Sequence, residues 1–314
     1  MDALSPLIAT LAPRGRLDLR CLFGQAWEAP HQAVGPWRAP YHIVLRGGCE
    51  LWLPQSRQAI ALRQGALLVL PRGAAHTLRV AGAPQPLRQQ KGALLEIKTN
   101  VARVDQAEVD ILCGEFEFAG RRRSALLEAL PEALLVEFGG RPEFAWLEGL
   151  VRLMQQEVER QQPGAAAIVA ELSGTLFTLA VRAHLESQSL LGQPQLGGVL
   201  GVMAAPRLAP ALQAMLERPD RAWTVESLAR RCNRSRASFA REFRQRAGTG
   251  PMELLTTLRM EQAAQLLARG GRDTGSVGEA VGYRSEAAFN RAFGRYAGVT
   301  PGRYRRQTSE PASP

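Results

Sequence analysis

One pattern occurs twice in this chain, 50 residues apart, and it restricts the C-terminal third to a pair of like helical units. Ser235, Phe239, Arg241, Phe243, Gly248 and Pro251 recur as Ser285, Phe289, Arg291, Phe293, Gly298 and Pro301. Each position has a physical reading. Ser235 and Ser285 suit helix N-caps, where a hydroxyl oxygen accepts from the unpaired N–H groups of the first turn. Phe239/Phe243 and Phe289/Phe293 are spaced i,i+4, so each pair lies on one helix face and anchors it in a core. Gly248 and Gly298 suit the left-handed residue that ends a helix, and Pro251 and Pro301 suit the start of the next one. A shorter helix precedes each unit. Thr224 caps the first, with Val225, Leu228, Ala229 and Cys232 as its buried stripe. The second runs through Val277, Ala280 and Val281 to Gly282-Tyr283. A short helix, a tight turn and a longer Ser-capped helix form the helix-turn-helix layout. Residues 251–268 read as one helix between the two units.

Charge separates this part from the rest. Residues 206–314 carry 19 Arg against 10 acidic residues, whereas residues 1–205 carry 20 basic against 19 acidic. Nearly all of the net charge of +10 thus lies in the last third. Such an excess is the footprint of a nucleic-acid-binding module joined to a neutral domain.

The segments WTVESLA (223–229), SRASFAREFRQRAGTGP (235–251) and GYRSEAAFNRAFGRYAGVTPGRYRR (282–306) resemble the AraC/XylS family of transcription regulators. The resemblance implies double-stranded DNA as partner, with the second helix of each unit in the major groove. It places base-reading positions just after each cap: Arg236, Ala237, Ala240 and Arg241, then Glu286, Ala287, Asn290 and Arg291. Arg suits guanine, Asn suits adenine and Glu can accept from cytosine. At least half of protein–DNA hydrogen bonds go to the backbone, so each Arg has phosphate contact as its competing role. Arg244, Arg246, Arg295 and Arg303, later in or beyond their helices, read as phosphate contacts. Gly275 and Gly278 lie in the second short helix, where each costs about 1 kcal/mol relative to Ala, which predicts a less rigid second unit.

Residues 1–120 read as mostly β, in a sandwich or small barrel. Short apolar runs such as 42–45 and 66–70 are broken by Gly and Pro, residues 113–118 alternate like a half-buried strand, and residues 84–92 read as a loop. Gly65-x5-Pro71-x4-His76 resembles the second cupin motif; the first, with two His one residue apart, is absent. His42 and His76 either hydrogen-bond inside an empty barrel or contribute to a transition-metal site, which needs further ligands. Four cysteines are scattered with no CxxC pair. Cys21 follows Arg20, whose charge favours a reactive thiolate. Cys21 and Cys113 are the redox candidates, against their reading as small apolar core residues. The start of the chain, the Cys21 segment, Leu70-Pro71…His76 and Cys113-Gly114 resemble the cupin-bearing subgroup of AraC-type regulators, which includes one responsive to reactive chlorine species. That resemblance implies an oxidant signal; a small ligand or a metal is the competing input.

The fold class expected is multidomain α+β. Its parts are a cupin-like barrel with a helical extension over 121–186, a linker over 187–205, an all-α double helix-turn-helix domain over 206–306, and a disordered tail over 307–314. The extension contains an amphipathic helix through Trp146, Leu147, Val151, Met154 and Val158. A second helix, near 165–185, is apolar over most of its surface and suits burial or dimerisation. No leader and no run of 18 apolar residues is visible, so a cytoplasmic location without a membrane span is expected. The function expected is a sequence-specific activator rather than an enzyme, with RNA polymerase as a partner and a homodimer as its form. A cupin enzyme and a nonspecific architectural DNA-binding protein are the remote alternatives.

Overall fold

The computed structural model describes residues 2–35, 37–119, 124–190 and 196–309. The chain forms two compact units. The first contains residues 13–117 and 131–193; the second contains residues 1–12, 118–130 and 194–314. Helices α1 (Leu4–Leu11) and α2 (Ala125–Ala129) therefore belong to the second unit, although both lie in or beside the barrel sequence.

The first unit holds β1 (Arg14–Phe23), β2 (Trp27–His31), β3 (Arg38–Arg46), β4 (Gly48–Leu53), β5 (Gln58–Arg63), β6 (Ala66–Val69), β7 (His76–Val80), β8 (Arg88–Lys91), β9 (Glu96–Thr99), β10 (Val109–Glu117) and β11 (Leu134–Glu137). They form a seven-stranded sheet, β11-β6-β3-β10-β1-β9-β8, and a four-stranded sheet, β2-β7-β4-β5. Phe23, Leu68 and Ile111 of the first sheet join Trp27, Leu51 and Leu78 of the second in one core. Two expectations change here. Residues 88–91, read as loop, pair with β9, and residues 134–137, read as helical extension, pair with β6. Both segments are only four residues long, too short for a periodicity to show.

Helix α3 (Ala145–Arg160) buries Leu147, Val151, Met154 and Val158, and α4 (Ala165–Leu190) packs on β1 and α3. Gly15 makes this approach possible, because a Cβ there would sit 2.2 Å from the Ser173 backbone. The Tyr41 hydroxyl donates to Ser173 Oγ at 3.2 Å, and Phe116 meets Phe177 edge-on. Helix α4 covers the outer face of β10, so this strand is buried on both faces rather than half-buried as its alternation suggested. By length and hydropathy α4 also qualifies as a membrane span. Its Ser173, Leu176, Phe177, Ala180, Val181 and Ala183 are buried within this unit, which makes it a core helix here.

The second unit is helical. It contains α5 (Gly198–Met203), α6 (Ala209–Glu217), α7 (Val225–Arg231), α8 (Arg236–Ala247), α9 (Pro251–Arg269), α10 (Thr274–Ala280), α11 (Glu286–Ala297) and α12 (Pro301–Ser309). Of the linker expected over 187–205, two parts are corrected: α4 continues to Leu190, and α5 buries Val199, Leu200, Gly201 and Val202, while residues 191–195 lie outside the described residues. Its glycines suggested flexibility, but Gly201 lies where a Cβ would meet the Arg246 carbonyl at 2.8 Å. Glu261, buried in α9, accepts from the Ala125 N–H at the start of α2 (2.6 Å). Of the tail expected over 307–314, residues 307–309 are helical and 310–314 lie outside the described residues.

Candidate functional site

The two repeat segments form α8 and α11, each opened by its serine. Ser235 Oγ accepts from the Ser238 N–H and Ser285 Oγ from the Ala288 N–H. Thr224 and Ser227 form a reciprocal capping box on α7, and the Asp273 carboxylate caps α10 by accepting from the Ser276 N–H at 2.9 Å. Between α7 and α8 the chain turns through Asn233 at φ +52; between α10 and α11 it turns through Gly282 at φ +87. Phe239, Phe243, Phe289 and Phe293 are fully buried. That fixes which faces look outward. Arg236, Ala237 and Arg241 are exposed on α8, with Ala240 half-buried; Glu286, Ala287 and Arg291 are exposed on α11, with Asn290 half-buried. Arg244, Arg246, Arg295 and Arg303 are exposed as well. Glu286 is not bare, since the Thr274 hydroxyl donates to it at 3.4 Å.

The glycines of α10 differ from each other. Gly278 is buried, and a Cβ there would lie 3.0–3.2 Å from three atoms of Phe289. Its absence of a side chain lets α10 seat against α11. A Cβ at Gly275 would approach only the Asp273 carboxylate. The expectation that both merely weaken the second unit therefore holds no longer for Gly278.

The first unit contains a cluster of thiols and imidazoles, assembled by strand register. On β10, Cys113 lies opposite His42 of β3, while Leu19 of β1 lies opposite Cys113 and Cys21 opposite Ile111. Cys21 and Cys113 are thus diagonal neighbours on one face, with sulfurs 3.7 Å apart. In the other sheet His31 of β2 lies opposite His76 of β7. Across the core, His42 Nε2 is 2.8 Å from His76 Nε2, and His42 Nδ1 is 3.1 Å from Cys113 Sγ.

Proton positions follow by elimination. His76 Nδ1 faces the Ala74 carbonyl at 2.9 Å and must donate. Burial lowers its pKa, so its Nε2 is a bare acceptor. His42 must then donate through Nε2 and accept through Nδ1 from the Cys113 S–H, and Cys21 donates to Cys113 Sγ. Burial, then the neighbouring imidazoles, lowers His42 well below its ordinary value; burial, then His76, brings His31 to about 4. The contact with Cys21, then burial, holds the Cys113 thiol protonated. Burial pushes the half-buried Cys49 up to about 12.

Arg20 does not serve as neighbour to Cys21 in space. Successive strand residues face opposite ways, and Arg20 makes a bidentate pair with Asp110 at 3.0 and 2.7 Å. Its guanidinium is committed to Asp110 and not to the Cys21 thiol, contrary to the expectation from adjacency. Cys232, read as core of a short helix, is the half-buried residue that closes α7.

The cupin family matches residues 2–186, and a helix-turn-helix domain family matches residues 228–307. Among relatives, the RCS-specific HTH-type transcriptional activator RclR of Escherichia coli K12 is 35% identical over 99% of both chains. A putative AraC-like transcription regulator of Streptomyces lividans is 30% identical over 99% of this chain and all of its own. The chain belongs to the AraC-type transcription regulators with an N-terminal cupin domain. Among solved structures, the DNA-binding domain of AdpA in complex with a target DNA is 32% identical over 33% of this chain and 93% of its own, with a TM-score of 0.31.

For this AraC-type regulator, the double helix-turn-helix was legible from the repeat, and two features were not. The Asp273 cap does not follow from the repeat, because the caps of the short helices lie 49 rather than 50 residues apart. His31 is hidden in the sequence because Pro30 beside it argues against a strand. It is tolerated because β2 is an edge strand. The alternation Trp27, Ala29, His31 was the available signal for an inward face.

Proposed function

We propose that this regulator is an activator whose cupin domain reads an oxidant through Cys21 and Cys113. The observation that carries the reading is their 3.7 Å contact on adjacent strands. A disulfide needs the sulfurs to approach by roughly another 1.6 Å, to about 2.05 Å, which side-chain rotation on diagonal strand neighbours can supply. A hypohalous acid balances the step: one thiol and HOCl give a sulfenyl chloride and water, and the second thiol displaces chloride, releasing a proton. The relative described as RCS-specific supports this class of oxidant. Cys21 and Cys113 pack into one apolar core with Phe23 and Trp27, which favours the thiol pair over a small ligand as the input.

The output is double-stranded DNA, read through Arg236, Ala237, Ala240 and Arg241 of α8 and Glu286, Ala287, Asn290 and Arg291 of α11. Arg244, Arg246, Arg295 and Arg303 hold phosphates. Two recognition helices reading one face of the duplex sit about 34 Å apart. We place the protein in the cytoplasm with RNA polymerase as partner. Leu153 and Ile168, each 41% exposed on α3 and α4, suit a homodimer contact. Its relatives are transcription regulators, and the reading needs no catalytic turnover.

The test treats the reduced full-length protein with one equivalent of hypochlorous acid, maps disulfides by mass spectrometry and follows a promoter reporter. A Cys21–Cys113 bridge, with induction lost in Cys21→Ser and Cys113→Ser and kept in Cys49→Ser, is expected. Undiminished induction in both serine variants, or a bridge to Cys49, refutes the reading.

A further inference from the structure

When an oxidant joins two buried thiols, the second thiol must give up a proton in a place that water does not reach. We infer that Cys113 is the thiol that attacks, and that His42 takes its proton while passing its own Nε2 proton to His76. This chemistry rests on the oxidant reading above. It adds to that reading an order of events between the two cysteines and a role for two histidines.

Three contacts in series make the path. Cys113 Sγ lies 3.1 Å from His42 Nδ1, His42 Nε2 lies 2.8 Å from His76 Nε2, and His76 Nδ1 lies 2.9 Å from the Ala74 carbonyl oxygen. With the protons placed as above, every S–H or N–H along it donates in the direction of Ala74. The middle link is a direct hydrogen bond, closer than the roughly 3.4 Å that separates two nitrogens on one tetrahedral ion. The two thiols are not equivalent on this path. Cys21 donates to Cys113 Sγ and contacts no base among the described residues. Cys113 has His42. The sulfur lone pair of Cys113 that accepts from Cys21 is also the one aimed at the sulfur to be attacked, 3.7 Å away.

Atoms and electrons balance. Hypochlorous acid leaves chlorine on Cys21 Sγ, and the thiol hydrogen departs in water. Cys113 Sγ then bonds to Cys21 Sγ, and chloride leaves with the S–Cl electron pair. A sulfur so bonded holds its hydrogen as a sulfonium, a far stronger acid than a thiol, so a base weakened by burial is enough to remove it. The proton goes to His42 Nδ1 as the Nε2 proton crosses to His76 Nε2. His42 ends neutral, as its other tautomer. His76 ends as the cation, with Nδ1–H still on the Ala74 carbonyl, a contact that favours its charged form. The 2.8 Å hydrogen bond reverses direction without breaking. His31 stacks on His76 at 4.6 Å and meets His42 edge-on. Burial above all keeps that third ring neutral, so it adds no positive charge beside His76.

The experiment mixes the reduced full-length protein with one equivalent of hypochlorous acid and quenches it at intervals into dimedone, which captures the sulfenic acid that water makes from an unresolved sulfenyl chloride. Mass spectrometry reads the bridge and the position of the adduct. In the parent the adduct is expected on Cys21, and the bridge should form more slowly in D2O. Both are read on the unaltered chain, so neither depends on a variant folding. His42→Gln and His76→Gln keep hydrogen-bonding amides that cannot take up a proton. In each, the first thiol should be lost at the parental rate, the bridge should form about 100-fold more slowly, and the Cys21 adduct should accumulate. The amide oxygen in His76→Gln can still accept from His42 Nε2, so slowing there reports proton transfer rather than ring orientation. A parent that never forms the Cys21–Cys113 bridge refutes the oxidant reading and the proton path with it. A bridge that forms in the parent with the adduct on Cys113, without an isotope effect, or at the parental rate in either folded glutamine variant overturns the proton path alone.

Discussion

Gly275→Ala and Gly278→Ala, one helical turn apart on α10, should have opposite effects. Either change gains about 0.5–1 kcal/mol of helix stability from intrinsic preference alone. At Gly275 the new methyl approaches one atom, Asp273 Oδ1, at 3.1 Å. That carboxylate is exposed and can shift by a few tenths of an ångström while still capping Ser276. Most of the gain should survive. At Gly278 the methyl meets three atoms of the fully buried Phe289 at 3.0–3.2 Å. The ring is locked between Phe293 and Tyr283, and overpacking of such a core costs about 1–3 kcal/mol. The net is a loss of roughly 0–2 kcal/mol, together with a displacement of α11 that should weaken operator binding. Native-state hydrogen exchange on a peptide spanning 273–293 reads the local stability of α10 and α11 without relying on a global melt. Protection should rise in Gly275→Ala and fall in Gly278→Ala. Equal gains at both positions would show that Phe289 yields freely, and that Gly278 is only a weak helix residue.

Arg241→Ala should reduce operator affinity and relax sequence preference by about 1–3 kcal/mol if the side chain reads a base; equal weakening on operator and random DNA assigns it to a phosphate. Glu261 supplies a pH test. Burial raises its carboxyl to about 8, so the folded chain holds a proton that the unfolded chain releases near the ordinary carboxylate pKa of about 4.3. Its contribution is fully present below that value and is lost as pH rises through about 8. Glu261→Gln keeps an acceptor for the Ala125 N–H and should gain in melting temperature over the parent as pH rises from 5 to 8. A difference that stays constant across that range refutes the buried-acid assignment.

The C-terminal helices were legible in the amino-acid sequence because their determinants are local. A cap serine, an i,i+4 aromatic pair and a terminal glycine act within four or five residues, and Ser235, Phe239, Phe243 and Gly248 do what their spacing states. The repeat then doubled that signal. The cupin-domain cluster was only partly legible, because its residues meet through register between strands far apart in the chain. Cys21 and Cys113 are 92 residues apart and His42 and His76 are 34 apart, so no local period relates them. Sequence adjacency even misled. Arg20 is bonded to Cys21, yet the strand's two-residue period sends its guanidinium to Asp110 on the opposite face. Sequence alone determined the paired recognition helices and the family. The tertiary structure decided that the two thiols touch, that His42 backs Cys113, that His31 completes a trio, and that Gly278 lets one helix seat on another. Each of these depends on which faces are brought together, and that is settled by sheet pairing and core packing rather than by neighbours in the chain.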